Sequence, residues 1–345
     1  MNVGVIGASG YAGAELMRLC AGHRVFDVVR ATAQTHAGET VASLYPSLAS
    51  AYPDLVFDRL TPAEGAGAAG IDLDGVDVVF LSLPHGQSMA LMEDLVGTTR
   101  TVVDLSADFR LSDASLYPRW YGQDHACPQL LDRAVFGLPE LFKEGLAGAG
   151  LVAVAGCYPT AAALGLAPLV RLGMVSPDGV IVDAASGVSG AGSSLRHELH
   201  YGTANENFNA YGLLDHRHTP EIEQASGAKV LFTPHLAPMT RGLLATCYAR
   251  PIRACSTESI LAALTEFYDG EPFVVVDAEP PSTKSTLGSN TARLTARYDD
   301  RTGWVVVIAA IDNLVKGAAG QAVQCANVAL GLDETEGLAR VGMYP

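Results

Sequence analysis

Positive charge is scarce in this chain. Twenty-two lysines and arginines stand against 37 aspartates and glutamates, a formal net charge of −15, which argues against nucleic acid or an anionic membrane surface as the main partner. An anionic small molecule fits only if a few arginines are focused in one cleft. Charge of either sign is sparse, at 17 % against 49 % hydrophobic residues, a balance that excludes disorder and supplies sizeable cores. Cys-x-x-Cys pairs are absent. Cys20, Cys127, Cys157, Cys247, Cys255 and Cys325 are scattered, which reads as reduced thiols in a cytoplasm, not a disulfide framework or a zinc site. The N-terminus runs straight into a strand without a basic segment and apolar core, so no signal peptide is expected. Ser186–Ser194 is glycine-rich but lacks a Gly-Lys-Ser/Thr ending, leaving a flexible active-site loop and not a phosphate loop. No Gly-x-Ser-x-Gly elbow supports a serine hydrolase. Internal repeats are missing too, and residues 64–70 and 145–150 read as short Gly/Ala loops.

One long uncharged run is present, the twenty residues from Leu151 to Val170, enough to span a bilayer. Gly156, Pro159, Gly165 and Pro168 divide it. Leu151–Ala155 reads as a buried strand, Pro159 as the first helical residue, and Ala161–Leu172 as the helix body. Cys157 then falls at the strand-to-helix turn, where backbone N–H groups and the helix dipole stabilise a thiolate. The same donors can hold an oxyanion formed when a thiolate attacks a carbonyl. The alternative is a buried cysteine acting as a small hydrophobe.

A length of 345 residues predicts two domains, with room for one to interrupt the other. Asn2–Ile6 is a short strand followed by Gly7-Ala-Ser-Gly10-Tyr-Ala-Gly13, and Ala14–Cys20 is helical in character. Gly7 permits a tight turn, Gly10 lets backbone approach a pyrophosphate, and Gly13 lets helix pack on strand. Gly7, Ser9, Gly10, Tyr11, Ala12 and Gly13 are therefore candidate cofactor-binding residues. After the second strand, Phe26–Ala31, no carboxylate occurs before Glu39. That leans toward NADP, with Gln34, Thr35 and His36 hydrogen-bonding where an arginine is often found. Further strands at Val76–Leu83 and Thr101–Leu105 complete a Rossmann-type, doubly wound parallel sheet. The first ends in Pro84-His85, which reads as cofactor-facing. Ser106 and Arg110 leave the end of the second, placed to clamp a phosphate or carboxylate; Arg110 in a surface ion pair with Asp108 or Asp113 is the alternative.

Beyond the cysteine helix the pattern becomes α+β. Val180–Ala184, Lys229–Thr233, Leu243–Arg250, Phe273–Val276, Thr291–Tyr298 and Trp304–Ile311 read as strands of a large, partly antiparallel sheet. Ser256–Phe267 is the clearest helix, capped by Ser256, and Asp312–Leu330 is helical again. His216 and His218 lie at i and i+2, on one side of an extended chain, with Thr219 as N-cap and Pro220 as first helical residue. A histidine near Cys157 would shuttle a proton; with no third ligand at suitable spacing, no metal is expected. Thr233–Gly242 reads as a proline-stiffened loop delivering Arg241, or as a structural turn.

Taken together these motifs resemble the N-acetyl-gamma-glutamyl-phosphate reductases, members of the aspartate-semialdehyde dehydrogenase superfamily. The match runs end to end through Gly-Ala-Ser-Gly-Tyr-Ala-Gly at 7–13, Leu-Pro-His-Gly at 83–86, Asp-Leu-Ser-Ala-Asp-Phe-Arg at 104–110 and Phe-Gly-Leu-Pro-Glu at 136–140. It continues through Gly-Cys-Tyr-Pro-Thr at 156–160, His-Arg-His-Thr-Pro-Glu-Ile at 216–222 and Ala-Ile-Asp-Asn-Leu-Val-Lys-Gly at 310–317. The resemblance implies that Cys157 is the nucleophile and carries a thioester, with His216 or His218 as acid/base. Arg110 and Arg241 would bind the anionic substrate, an acyl phosphate, and Asn313 would lie in a segment returning to the nicotinamide. It also implies an NADP(H) domain of residues 1–156 and 313–345, an inserted catalytic and dimerisation domain of 157–312, a cytoplasmic homotetramer and a role in arginine biosynthesis. Ala155 stands where many relatives have proline, and the ribose-side loop lacks their arginine. Rival readings are a reductase of aspartyl or carrier-linked aminoadipyl phosphate, and an NADP-sensing protein without activity.

Overall fold

The computed structural model describes residues 1–60 and 73–345; the Gly/Ala stretch at 64–70 lies outside them. The chain divides into Met1–Ala155 with Ala318–Leu338, and Gly156–Gly317 with Ala339–Pro345. The tail beyond 338 was expected with the nucleotide end. It bonds instead within the second unit, where Ala339 O accepts from Asn290 N and Leu287 O from Met343 N, each at 2.8 Å.

The first unit contains β1 (Asn2–Ile6), α1 (Tyr11–Ala21), β2 (Asp27–Ala31), β3 (Val78–Leu81), α2 (Met89–Leu95), β4 (Thr101–Asp104), β5 (Val135–Gly137), α3 (Pro139–Leu146) and β6 (Leu151–Val154). Its sheet runs β2-β1-β3-β4-β6-β5 with every pair parallel. β3, β4 and β6 are buried along their whole length, which is why they read as unbroken apolar runs and not as alternating ones. β5 was not anticipated; three residues carry no periodicity. The sheet order reverses between β1 and β3, and the crevice at the carboxyl ends of such strands is where this architecture takes ligands.

The second unit opens with α4 (Cys157–Arg171), then β7 (Val180–Gly187), β8 (Asn209–Ala210), α5 (His218–Ser226), β9 (Val230–Ala237), β10 (Leu243–Ala249), α6 (Thr257–Phe267), β11 (Val274–Val276), β12 (Ala292–Asp299) and β13 (Trp304–Ile311). The mixed sheet runs β11-β12-β13-β10-β7-β9-β8. Ser256 caps α6 as expected, in a reciprocal pair of bonds with Ser259. The stretch expected as a loop at 233–242 is strand as far as Ala237, and β9 admits Pro234 while pairing parallel with β7. The chain then passes through one π-helical turn, Val315–Ala319, into α7 (Gly320–Ala329) of the first unit. There Gln321 Nε2 donates to Gly137 O at 3.0 Å, Gln324 Nε2 to Glu140 Oε1 at 2.8 Å, and Asn327 Oδ1 lies 3.0 Å from His23 Nε2, all buried.

The uncharged run is β6 followed by α4, and α4 is buried from Tyr158 to Leu169. A helix apolar all round is a core helix or a membrane span. Here it is core, and no helix among the described residues is long and apolar enough to cross a membrane. Pro168 sits inside α4 and has no N–H to give the carbonyl four residues back. That carbonyl, Leu164 O, accepts from Tyr268 Oη at 2.6 Å in the buried interior. Tyr268→Phe removes the donor and leaves a buried acceptor unpaired. The expected cost is about 1–3 kcal/mol, read as a lower urea midpoint; an unchanged midpoint would show that the carbonyl finds another partner.

Candidate active site

The glycine-rich turn of the first unit follows from close approach. Gly7 has φ +83°, and a Cβ on Gly13 would lie 2.5 Å from Gly7 O, so neither position admits a side chain without movement. Gly10 differs: a Cβ there would meet only Gly7 O at 3.8 Å, leaving an open side above the start of α1. The turn is anchored from behind by Thr32, whose Oγ1 accepts from Gly7 N at 3.1 Å and whose carbonyl accepts from Ala8 N at 2.8 Å. Tyr45 Oη donates to Ser9 O at 2.7 Å. A half-buried glycine with open space where its side chain would be, at a helix start and the switch point of a parallel sheet, fits a dinucleotide pyrophosphate. On the ribose side Gln34 and Thr35 are exposed, and His36 Nδ1 lies 3.1 Å from Glu39 Oε1.

The loop after β3 is held by Asp108. Its Oδ1 accepts from Gly86 N at 2.8 Å and its Oδ2 from Met89 N at 3.0 Å. Pro84 and His85 thus sit on a fixed turn, and His85 Nδ1 accepts from Ala107 N at 3.2 Å, which puts the proton of the neutral ring on Nε2. Ser106 turns inward: its Oγ donates to Asp104 Oδ2 at 2.7 Å and accepts from Asp108 N at 3.1 Å. Asp104 is fully buried, and burial pushes its carboxyl up to about 6 against the lowering effect of bonds from Ser106 and Ser88. Arg110 is buried as well, with Nη2 donating to Leu105 O at 2.7 Å. It is not the surface residue that an exposed ion pair with Asp113 would need.

In the second unit Cys157 is the first residue of α4, with Gly156 as N-cap. Pro159 is therefore the third helical residue, not the first. Lacking an N–H, it leaves the amides of Cys157 and Tyr158 as those that open the helix. Gly317, in the π-helical turn, comes so close that a Cβ on it would lie 2.7 Å from Cys157 Cβ. The Tyr158 ring meets both histidines edge-on, with centroids 5.7 Å from His216 and 5.9 Å from His218. The two imidazoles are 4.9 Å apart. α5 begins at His218, with Arg217 at the cap position, so Thr219 and Pro220 are already inside the helix. The His218 backbone N–H donates to His216 Nδ1 at 3.1 Å, which places the His216 proton on Nε2. Burial, reinforced by Arg217, lowers the His216 pKa to about 4. Tyr211 Oη donates to Tyr158 Oη at 3.2 Å, and Tyr158 Oη donates to His235 O at 2.9 Å. Burial pushes Tyr211 up to about 12 and Tyr158 higher still, so both are neutral hydroxyls.

Arg241 reaches Asp312 Oδ2 at 3.6 Å while a quarter of its side chain stays exposed. Asp312 is fully buried and also accepts from Gly288 N at 2.7 Å and Leu314 N at 2.9 Å. Asn313 spends its amide inside the protein: Oδ1 accepts from Gly242 N at 2.8 Å, and Nδ2 donates to Ser189 Oγ at 2.9 Å. The stretch after β7, expected to be flexible, is tied to the arginine turn through Gly187 N to Gly242 O and Val188 N to Met239 O. Cys157, His216, His218, Arg241 and Asn313 thus belong to the second unit, and the glycine turn, His85, Ser106 and Arg110 to the first. Sequence reasoning passed over Asp108, Asp312 and Glu221 as anchors, although each stands inside a quoted motif. Among the described residues no three His, Cys, Asp or Glu side chains converge as a metal site would require.

A parallel nucleotide-binding sheet joined to a mixed-sheet unit that starts on a helix-borne cysteine defines the semialdehyde dehydrogenase class. The profile of the semialdehyde dehydrogenase NAD binding domain matches residues 2–149, and that of the dimerisation domain matches residues 157–313. The N-acetyl-gamma-glutamyl-phosphate reductase of Symbiobacterium thermophilum is 48 % identical, covering 100 % of this chain and 99 % of its own. That of Moorella thermoacetica is 45 % identical over the whole of both. Among solved structures, aspartate semialdehyde dehydrogenase II of Vibrio cholerae superposes with a TM-score of 0.71 at 14 % identity, covering 96 % of this chain and 98 % of that one. The Candida albicans enzyme, solved with NADP, gives 0.68 at 16 %, covering 95 % and 98 %. At such identities these two establish the fold. The chain belongs to the N-acetyl-gamma-glutamyl-phosphate reductase family.

The depressed His216 pKa has a signed consequence. Its folded value lies below that of a free imidazole, near 6.5, so the unfolded chain binds the proton first. Stability from the neutral ring is present above about pH 6.5 and is lost as pH falls toward about 4. His216→Asn removes that group, and its urea midpoint should vary less between those pH values than that of the unmodified protein. Parallel curves would show that His216 titrates normally.

Proposed function

We propose that the protein catalyses NADPH-dependent reduction of N-acetyl-gamma-glutamyl phosphate to N-acetyl-L-glutamate 5-semialdehyde with release of phosphate, a step of arginine biosynthesis. The observation that carries this reading is full-length identity of 43–48 % to reductases of that name, combined with a cysteine at the first position of a buried helix. Cys157 Sγ attacks the acyl carbon, the bond to the phosphate oxygen breaks, and phosphate leaves with the proton that the overall reaction consumes. NADPH, when bound, supplies a hydride to the thioester carbon. The amides of Cys157 and Tyr158 hold the oxyanion; its collapse breaks the C–S bond, frees the aldehyde and returns the thiolate. His216, with Nδ1 occupied and Nε2 protonated, serves as a hydrogen-bond donor, and His218 takes the proton-transfer role. Arg241, steadied by Asp312, and Arg110 provide positive charge for phosphate and carboxylate.

The glycine turn around Gly10 supports a dinucleotide, and the lack of a carboxylate at the end of β2 supports NADP(H) over NAD(H). Pro84 and His85 serve the same cofactor from their fixed turn. Assembly as a cytoplasmic homotetramer, built on the dimerisation domain, belongs to the same reading. The test is NADPH formation from N-acetylglutamate semialdehyde, NADP+ and phosphate. Phosphate-dependent activity is expected, and Cys157→Ser should lose roughly 10³-fold or more in kcat while still binding NADPH. Equal or faster turnover of aspartate semialdehyde would overturn the substrate. Gly317→Ala, which sets a methyl against Cys157, should cost about 10²-fold in kcat through misplacement of the nucleophile; undiminished kcat would mean that the turn yields.

A further inference from the structure

Glu221 is fully buried, yet it belongs to none of the roles above. Its Oε1 accepts from Gly156 N at 2.6 Å, a short bond in the interior. Gly156 is the N-cap of α4, and its amide is one of the helix-start donors that have no partner within the helix. The acceptor comes from another element, α5, where Glu221 stands three residues after His218. Residues three apart lie on one face of a helix, so a single turn of α5 carries an imidazole and the carboxylate that grips the residue before Cys157. A buried carboxylate is costly to desolvate, and an apolar side chain of similar size would fill the volume without that cost. What it would not do is fix the register between α5 and the start of α4.

We infer that Glu221 is a positioning residue for Cys157, tethering the cysteine's helix start to the histidine-bearing helix through the Gly156 amide. This rests on Cys157 being the nucleophile. The carboxylate bonds the preceding amide and not the reacting sulfur, so its effect falls on the placement of the thiolate against the histidines. Substrate and cofactor affinity should be spared. An oxygen acceptor at the right reach is what matters: glutamine keeps both, aspartate keeps the charge and loses one methylene of reach, and alanine loses everything.

The test compares Glu221→Gln, Glu221→Asp and Glu221→Ala in the full chain, in the phosphate-dependent assay. kcat is expected to fall by about 10²-fold in the Ala and Asp variants. KM for the semialdehyde and for phosphate, and NADPH binding by fluorescence, should stay within about threefold. Glu221→Gln should recover kcat to within about fivefold of the unmodified enzyme. A second readout is iodoacetamide labelling of the Cys157 peptide, followed by mass spectrometry, which should slow in Asp and Ala and recover in Gln. If the alanine variant does not fold, the Gln and Asp pair decides alone. Undiminished kcat in Asp or Ala, a Gln variant as impaired as Asp, or a loss confined to KM or NADPH binding would each overturn the tether. Absence of phosphate-dependent activity in the unmodified protein would instead defeat the assignment of Cys157 on which the tether rests.

Discussion

The second unit is organised by the burial of α4 from Tyr158 to Leu169. Backbone groups along that stretch cannot be left for water to satisfy, so its buried start and its irregularity at Pro168 need partners from other elements. The Gly156 amide takes Glu221 from α5, and the carbonyl stranded by Pro168 takes the Tyr268 hydroxyl. Gly165 leaves room for β13, since a Cβ there would lie 3.0 Å from Val307 Cγ1. The same burial brings Gly317 against Cys157. Cys157 is therefore held by what surrounds its helix, and its position reflects several distant segments at once.

The motifs are interlocked in pairs. Asp108, from the segment after β4, holds the turn after β3 that carries His85. Asp312 and Asn313, at the end of β13, hold the turn that carries Arg241 and tie it to the residues following β7. In each case a carboxylate or amide in one stretch satisfies amides in another, so each turn and the group that fixes it are far apart in sequence. Buried carboxylates recur in these roles because each accepts several backbone N–H bonds at once.

Much of this was legible in the sequence. Burial on both faces makes the strands of the parallel sheet plain apolar runs, and the glycine turn announces itself because close approach at Gly7 and Gly13 permits no other residue. Cys157 was placed on the correct turn, and the Ser256 cap on the correct helix. Helix starts were misplaced by two residues at both Pro159 and Pro220, because proline is tolerated throughout a first turn and not only at its opening position. β5 was invisible at three residues, and β9 was read only as far as Thr233, because Pro234 reads as its end. Glu221, Asp108 and Asp312 could not be read as anchors because their partners are backbone amides, which sequence does not label. The inward turn of Ser106 has the same cause: only the fold shows that Asp104 is beneath it.

The interruption of the first unit by the second has a consequence for synthesis. α7 closes the parallel-sheet unit, and its buried Gln321, Gln324 and Asn327 bond to Gly137, Glu140 and His23. Those partners emerge from the ribosome before the intervening residues 156–317 are made. At about 5–20 residues per second, the nascent sheet waits roughly 8–30 s with that flank uncovered. During the wait the uncharged β6 strand is already exposed beside it. The order of manufacture thus sets a window in which a strand buried along its whole length in the finished protein is left vulnerable.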